Sequence, residues 1–326
     1  MIRISELHDM EPGVMRDVYC RSMLKMAEED PRVAVLDADL ATPIGIMPFA
    51  AKYPSRFFNC GIQESNMVGV AAGMSAAGII PFAHTFAAFA SRRCLDQLFV
   101  SACYAQLNIK LIGSDPGITA LYNGGTHMSL EDMGNLMGIP NITLVEPTDS
   151  AMLADVLETA KNTYGVFYIR MNRKNAVHIY EEGSHFEIGK GVVLREGGDL
   201  TIITSGILVG ESLKAADMLA AQGIGARVVN LFTWKPLDEE LIVRCARETG
   251  AIVTAENHQI GSGLGKSVAG VVCAAHPVPM GYVGVRNRFG EVGDMPYLLD
   301  RFEMTAGHIA AKAAETYRRK NPASAG

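Results

Sequence analysis

Short runs of β-branched and aliphatic residues alternate with amphipathic stretches almost from end to end of the chain, a pattern made by parallel sheets with crossover helices. Strands are expected over 33–36, 79–85, 109–112, 142–145, 166–170, 200–204, 226–230, 251–256 and 282–285, with helices between them. The first helix, over 15–29, sets Met15, Val18, Tyr19, Met23 and Met26 on one face, the stripe a core requires. Asp149 caps another over 151–161, and Thr305 opens a last one that ends in Arg318, Arg319 and Lys320, cations that suit a helix C-terminus. Between Arg170 and Leu200 the alternation gives way to polar, Gly-containing sequence, so a boundary falls near 175–195. Two α/β domains are therefore expected, 1–180 and 190–321, each a mostly parallel sheet with helices on both faces, with a disordered tail at 322–326.

Composition narrows the function classes. The chain has 326 residues, 29 Lys and Arg against 35 Asp and Glu, and a net charge of -6, which lacks the basic footprint of nucleic-acid or anionic-membrane binding. The six cysteines show no C-x-x-C spacing, so neither a zinc site nor a disulfide framework is expected. The first ten residues carry Arg3, Glu6 and Asp9 where a signal peptide needs apolar residues, and the Gly- and Ala-rich stretch 67–90 reads as a buried helix feeding a buried strand. A cytoplasmic location is the expectation.

Several motifs carry chemistry. Gly261-Ser-Gly-Leu-Gly-Lys-Ser267 follows a strand, yet Ile260 stands where a phosphate loop needs its first Gly and Lys266 where a dinucleotide fingerprint needs its last, leaving a tight strand-to-helix turn. Glu64, in Cys60-Gly-Ile-Gln-Glu-Ser-Asn66, falls where a loop enters an apolar helix. Taken alone it complements the helix dipole; apolar burial would also raise its pKa and fit it for proton exchange near neutrality. Phe86 and Phe89 lie three residues apart, and His127 sits on an irregular Gly-rich loop.

These pieces in this order, together with Leu36-Asp-Ala-Asp-Leu40, Val145-Glu-Pro-Thr-Asp149, Ile169-Arg170, Lys235-Pro-Leu-Asp-Glu239, Glu256-Asn-His258, Gly263-Leu-Gly265 and Arg288-Phe-Gly290, resemble the C-terminal half of the transketolase family over roughly 12–320. The resemblance implies a pyrimidine-binding domain followed by a transketolase C-terminal domain, and thiamine diphosphate as cofactor. It makes Glu64 the partner of N1' of the aminopyrimidine, Phe86 and Phe89 the slot for that ring, and Asp39 an acidic residue lining the cofactor site. His127 would contact substrate, and Arg170 would pair with the substrate's terminal anion.

Departures from the family bear on the substrate. Asn123 replaces the Asp usual four residues before His127, Ser114 and Pro116 stand where a phosphate-contacting His or Arg is placed, and His84 replaces a small residue. His84, Ser114 and Asn123 are accordingly expected near the substrate, and a terminal monoanion such as a sulfonate, or a phosphate placed differently and met by a partner subunit, suits the reduced charge. The family's Gly-Asp-Gly diphosphate and metal motif is absent from the sequence. A separate N-terminal transketolase subunit carrying that motif, and with it most of the contacts to Mg2+ or Ca2+, is therefore expected as partner, in a dimer of heterodimers acting on small sugars. A 2-oxo acid dehydrogenase β subunit, a deoxyxylulose-phosphate synthase-like half and a noncatalytic scaffold are the alternatives.

Overall fold

The computed structural model describes residues 2–6 and 8–320. The tail expected at 322–326 lies outside them. The described residues group into two compact units, Met1–Ala120 with Thr126–Phe186, and Leu121–Gly125 with Glu187–Gly326.

In the first unit six parallel strands run in the order β5-β6-β4-β3-β1-β2. They are β1 (Val33–Asp37), β2 (Phe57–Asn59), β3 (Ile80–Phe86), β4 (Lys110–Ser114), β5 (Ile142–Val145) and β6 (Val166–Met171). β1, β3, β4 and β6 are buried at every position, as strands covered on both faces must be. This near-continuous burial is why they read as apolar runs rather than as alternating ones. The short β2, with its exposed Phe58 and Asn59, shows no such run and escapes sequence reading.

The second unit holds a five-stranded sheet of order β12-β11-β8-β9-β7, in which only β7 runs antiparallel to its neighbour. Its strands are β7 (Val192–Arg195), β8 (Leu200–Thr204), β9 (Ala226–Asn230), β11 (Ile252–Gln259) and β12 (Met280–Val285); a three-residue strand, β10 (Thr233–Lys235), lies between β9 and β11 in sequence. β7 and β10 were not expected from the sequence.

One local reading needs correction. The helix expected to be buried runs Glu64–Ala76 and buries only Glu64, Met67, Val68, Ala71, Ala72 and Ser75, while Gly69, Val70 and Gly73 are exposed. Its apolar residues encircle the axis, so composition could not reveal an open face. The Gly261–Ser267 turn does open a helix, Leu264–Ala275, but the buried Glu256 carboxylate already accepts from Leu264 N (2.6 Å) and Gly265 N (3.0 Å). Those helix-start donors are therefore committed within the chain. Asp149 caps Ser150–Asn162 as expected, accepting from Met152 N at 2.9 Å. No helix among the described residues is long and apolar enough to cross a membrane.

Candidate active site

In an open parallel sheet the loops that leave the carboxyl ends of the strands converge on one edge, which is where such folds hold ligands. Asp39 follows β1, Glu64 follows β2, Phe86 ends β3, Ser114 ends β4, and Arg173 lies just beyond β6. One edge of the first sheet thus gathers residues scattered over more than a hundred positions of sequence.

At the centre is a cluster of rings with a carboxylate linked to it through Arg93. Glu64 opens its helix and is 3% exposed. Phe86 and Phe89 meet edge to face with centroids 6.1 Å apart, and the His127 ring packs against both, 5.8 Å from Phe86 and 5.2 Å from Phe89. Such edge-on contacts fix ring planes. His127 Nδ1 also shares a 2.9 Å hydrogen bond with Thr126 Oγ1. Three of the expected site residues, Phe86, Phe89 and His127, are therefore in mutual contact.

Glu64 is buried, but its surroundings are not simply apolar. Arg93 donates from Nη1 to Glu64 Oε1 at 2.8 Å, and its guanidinium lies 3.8 Å over the Phe89 ring. Sequence reading missed this residue, because Arg93 is 29 positions from its carboxylate partner. Cys94, beside it, has its thiol pushed up to about 12 by burial and by the Glu64 charge, and so offers no nucleophile.

Three residues expected at the substrate, Arg170, His84 and Ser114, lie buried with partners inside the chain. Arg170 is fully buried: Nε and Nη2 donate to the Asp132 carboxylate at 2.8 and 3.1 Å, Nη1 pairs with Glu146, and Nη2 also donates to Ser129 O at 3.3 Å. Burial alone would lower the guanidinium's pKa, yet Asp132 and Glu146 hold it above its ordinary value. Asp132 further accepts from Tyr168 Oη at 2.7 Å, and an added Cβ at Gly113 would stand 2.3 Å from that oxygen, so the neighbouring strand needs a glycine there. Arg170 is thus an internal tie without a free face for a ligand.

His84 and Ser114 are sealed as well, at 1% and 0% exposure. His84 Nδ1 lies 3.1 Å from Asp37 Oδ1 and Nε2 lies 3.3 Å from Ser114 Oγ, so the imidazole ties the ends of β1 and β4 together. The space a small residue would leave is filled by this bridge. Asp39 is exposed, in left-handed backbone (φ 62°), and accepts from Asn59 Nδ2 at 3.2 Å. Asn123 is exposed and groups with the second unit.

Besides Arg93, a second cation stands at the ring cluster, Arg173. Its guanidinium lies 5.3 Å from the Phe86 ring centre and pairs with Asp115, which Lys174 Nζ approaches at 3.7 Å. Asp115 is buried in left-handed backbone (φ 51°), and its Oδ1 has no hydrogen-bond partner. Among the described residues one group has metal-ligand potential, Glu11, Asp149 and His178. Its carboxylates are already occupied: Asp149 accepts from Met152, Ile179 and Tyr180, and Glu11 from Ser150.

Two α/β units in series, the first presenting a buried carboxylate, paired aromatics and a histidine at the carboxyl edge of a parallel sheet, define the class of the protein as a two-unit α/β protein with its candidate site at a sheet edge. Family models for the transketolase pyrimidine-binding domain and the transketolase C-terminal domain match residues 13–177 and 189–309. The chain belongs to the transketolase family and carries these two domains in this order. It is 48% identical over 312 residues to a 6-deoxy-6-sulfo-D-fructose transketolase subunit SqwH of Clostridium sp. strain MSTE9, covering 96% of this chain and 97% of that one. A solved structure described as a split gene transketolase, inactive beta4 tetramer, superposes with a TM-score of 0.86 at 39% identity, covering 94% of this chain and 99% of the other. A 1-deoxy-D-xylulose-5-phosphate synthase of Heliobacterium modesticaldum is 34% identical over 93% of this chain, which spans 47% of that relative.

Proposed function

We propose that this chain supplies the pyrimidine-binding side of a transketolase active site, and that it transfers a two-carbon ketol unit from a terminally anionic ketose to an aldose when joined to a subunit holding the diphosphate and metal. The observation that carries this reading is the buried Glu64 carboxylate at a helix start, linked through Arg93 to the cluster of Phe86, Phe89 and His127 rings. An aromatic wall with a carboxylate at its margin fits an aminopyrimidine, which offers a face to stack and a ring nitrogen to pair. When bound, thiamine diphosphate supplies a carbon nucleophile at C2 of its thiazolium. Glu64 would hold the proton relationship at N1' of the pyrimidine, and Phe86 and Phe89 would set the plane of that ring. His127 would meet the substrate beside those rings. Mg2+ or Ca2+ belongs in this reading to the partner, since this chain has no Gly-Asp-Gly. Heterodimers pairing into a tetramer would complete the site.

The charge at the ring cluster supports a monoanion. Arg173 and Lys174 together face one carboxylate, Asp115, leaving one net positive charge. Burial holds the Lys174 pKa below its ordinary value, against the pull of Asp115. A sulfonate carries one charge where a phosphate ester carries nearly two. The relative at 48% identity, described as acting on 6-deoxy-6-sulfo-D-fructose, points the same way.

The test is reconstitution. The chain alone should show no ketol transfer, and adding a Gly-Asp-Gly subunit with thiamine diphosphate and Mg2+ should confer it, with a 6-sulfonated ketose outperforming its 6-phosphate counterpart. Glu64→Gln in the assembled complex should slow hydrogen-deuterium exchange at C2 by about 10² to 10⁴-fold, the worth of a positioned acid-base group. Turnover by the isolated chain, or wild-type exchange in the variant, would sink the proposal.

A further inference from the structure

The residue next to Arg93 does different work. Arg92 closes the helix Ala87–Arg92, which also carries Phe89, and its guanidinium turns toward the loop that bears His127. Nη1 donates to Thr126 O at 3.2 Å and Nη2 to Met128 O at 3.0 Å, while Nε pairs with the Glu131 carboxylate. The two carbonyls on either side of His127 are thus held by one planar group. Glu131 is itself fixed, because its other oxygen accepts from Leu130 N at 2.9 Å.

Further along the loop the Ser129 carbonyl is held from the interior, accepting from Arg170 Nη2 at 3.3 Å and Gly117 N at 2.8 Å, whereas Arg92 holds the two carbonyls that flank His127. The loop lies between the short helical stretch Gly117–Asn123 and the helix Asp132–Met137, and the His127 ring meets the Thr126 hydroxyl and the two aromatic rings. Ring contacts set how close His127 approaches Phe86 and Phe89 but do not fix the backbone from which it hangs. A guanidinium reaches three acceptors in fixed directions at once; an ammonium supplies the same charge without that fork. At 40% side-chain exposure Arg92 contributes little to stability as an ion pair, so its value lies in geometry.

From this geometry we infer that Arg92 is a positioning residue: it fixes the Thr126–Met128 backbone and thereby the placement of the His127 imidazole against Phe86 and Phe89. The inference rests on the proposed function only where His127 is read as a substrate contact; the positioning itself is a property of this chain.

Two measurements separate the two claims. In the full-length chain, Arg92→Ala should shift and broaden the imidazole resonances assigned to His127 (assigned through His127→Gln), leave the other histidines unmoved, and keep the thermal midpoint within about 2 °C of wild type. Arg92→Lys should behave as the alanine variant does, and added guanidinium ion at millimolar concentration should restore the resonances of Arg92→Ala. Unmoved His127 resonances in Arg92→Ala overturn the inference, whatever the enzyme does. In the complex reconstituted with the Gly-Asp-Gly subunit, Arg92→Ala should lower kcat/KM for the ketose by about 10 to 10²-fold, the cost of a misplaced group, with thiamine diphosphate affinity unchanged. Adding Arg92→Ala to His127→Ala should cost nothing more. If His127→Ala leaves turnover intact while its resonances still depend on Arg92, the substrate role of His127 fails and the positioning stands. If the two losses multiply independently, Arg92 acts elsewhere and the inference falls.

Discussion

Replacing Arg170 by Met gives the sharpest test of how the first domain is built. The guanidinium and the Asp132 carboxylate have no exposed surface, and Glu146 is 3% exposed. Removing the cation takes the guanidinium from two carboxylates in the interior, Asp132 retaining the Tyr168 hydroxyl at 2.7 Å. Removing one partner from a buried ion pair costs about 3–5 kcal/mol, because the remaining charge keeps its desolvation penalty without its compensation. In a domain of this size each kcal/mol lowers the midpoint by about 2–4 °C, so Arg170→Met should melt roughly 6–20 °C below wild type. Arg170→Lys should recover only part of the loss, since an ammonium cannot reach Asp132 twice and Glu146 as well.

Circular dichroism melting of the isolated chain reads this, and substrate kinetics of the reconstituted complex provide the contrast. Arg173→Gln should differ from Arg170→Met in its kinetics: it also removes a partner from a buried carboxylate, Asp115, and so lowers the midpoint, but Lys174 remains near that carboxylate and the KM for the anionic ketose should rise. A stable Arg170→Met protein whose only defect is a tenfold or larger rise in that KM would refute the reasoning and return Arg170 to the role of substrate anchor.

Two further outcomes follow from buried groups elsewhere. Lys110 is wholly buried in β4 with Nζ donating to Thr163 O (2.7 Å) and Gly165 O (2.8 Å), and burial pushes its pKa down to about 7. Between pH 7 and about 10.5 the unfolded chain holds a proton here that the folded chain has released, so stability from this group should rise with pH through that window by at most about 1.4 kcal/mol per unit; urea titrations of Lys110→Met should lack that component, and an unchanged slope would refute it. In the second domain a Cβ at Gly263 would stand 1.8 Å from Glu256 Oε2, which caps the following helix, so Gly263→Ala should cost about 2–4 kcal/mol through crowding and a lost cap, and a melting curve unchanged by the substitution would show that the carboxylate has room to move.

The parts of this molecule that could be read along the chain are those set by local pattern. β5, β8 and β9 have the bounds their apolar runs predict, and Asp149 caps the helix its position announces. Glu64, Phe86, Phe89 and His127 were nameable because motif order carries them. Their partners were not. Arg93 meets Glu64 across 29 positions, Arg92 meets Glu131 across 39, and His84 meets Asp37 across 47. No periodicity encodes such pairs; they exist because parallel strands return to one edge by crossovers of variable length, and a side chain's charge says that it needs a partner without saying which one.

The two arginines show where a physical argument could have gone further. Arg170 falls at the last position of the strand expected over 166–170, and the family resemblance alone made it the partner of the substrate's terminal anion. The strand in fact continues to Met171, between β4 and β5, and every residue in it is buried. A central strand of a parallel sheet has helices on both faces, so a charged side chain inside it has no route to solvent and is stable only as part of a complete ion cluster. Tyr168, two positions earlier and on the same face, reaches the same Asp132 carboxylate, as strand alternation requires. Arg173 lies two residues past the strand's end, where the backbone leaves the sheet and a side chain can face the Phe86 ring. A shift of one residue in a strand boundary therefore decides which of two nearby arginines is interior and which is available to an anion.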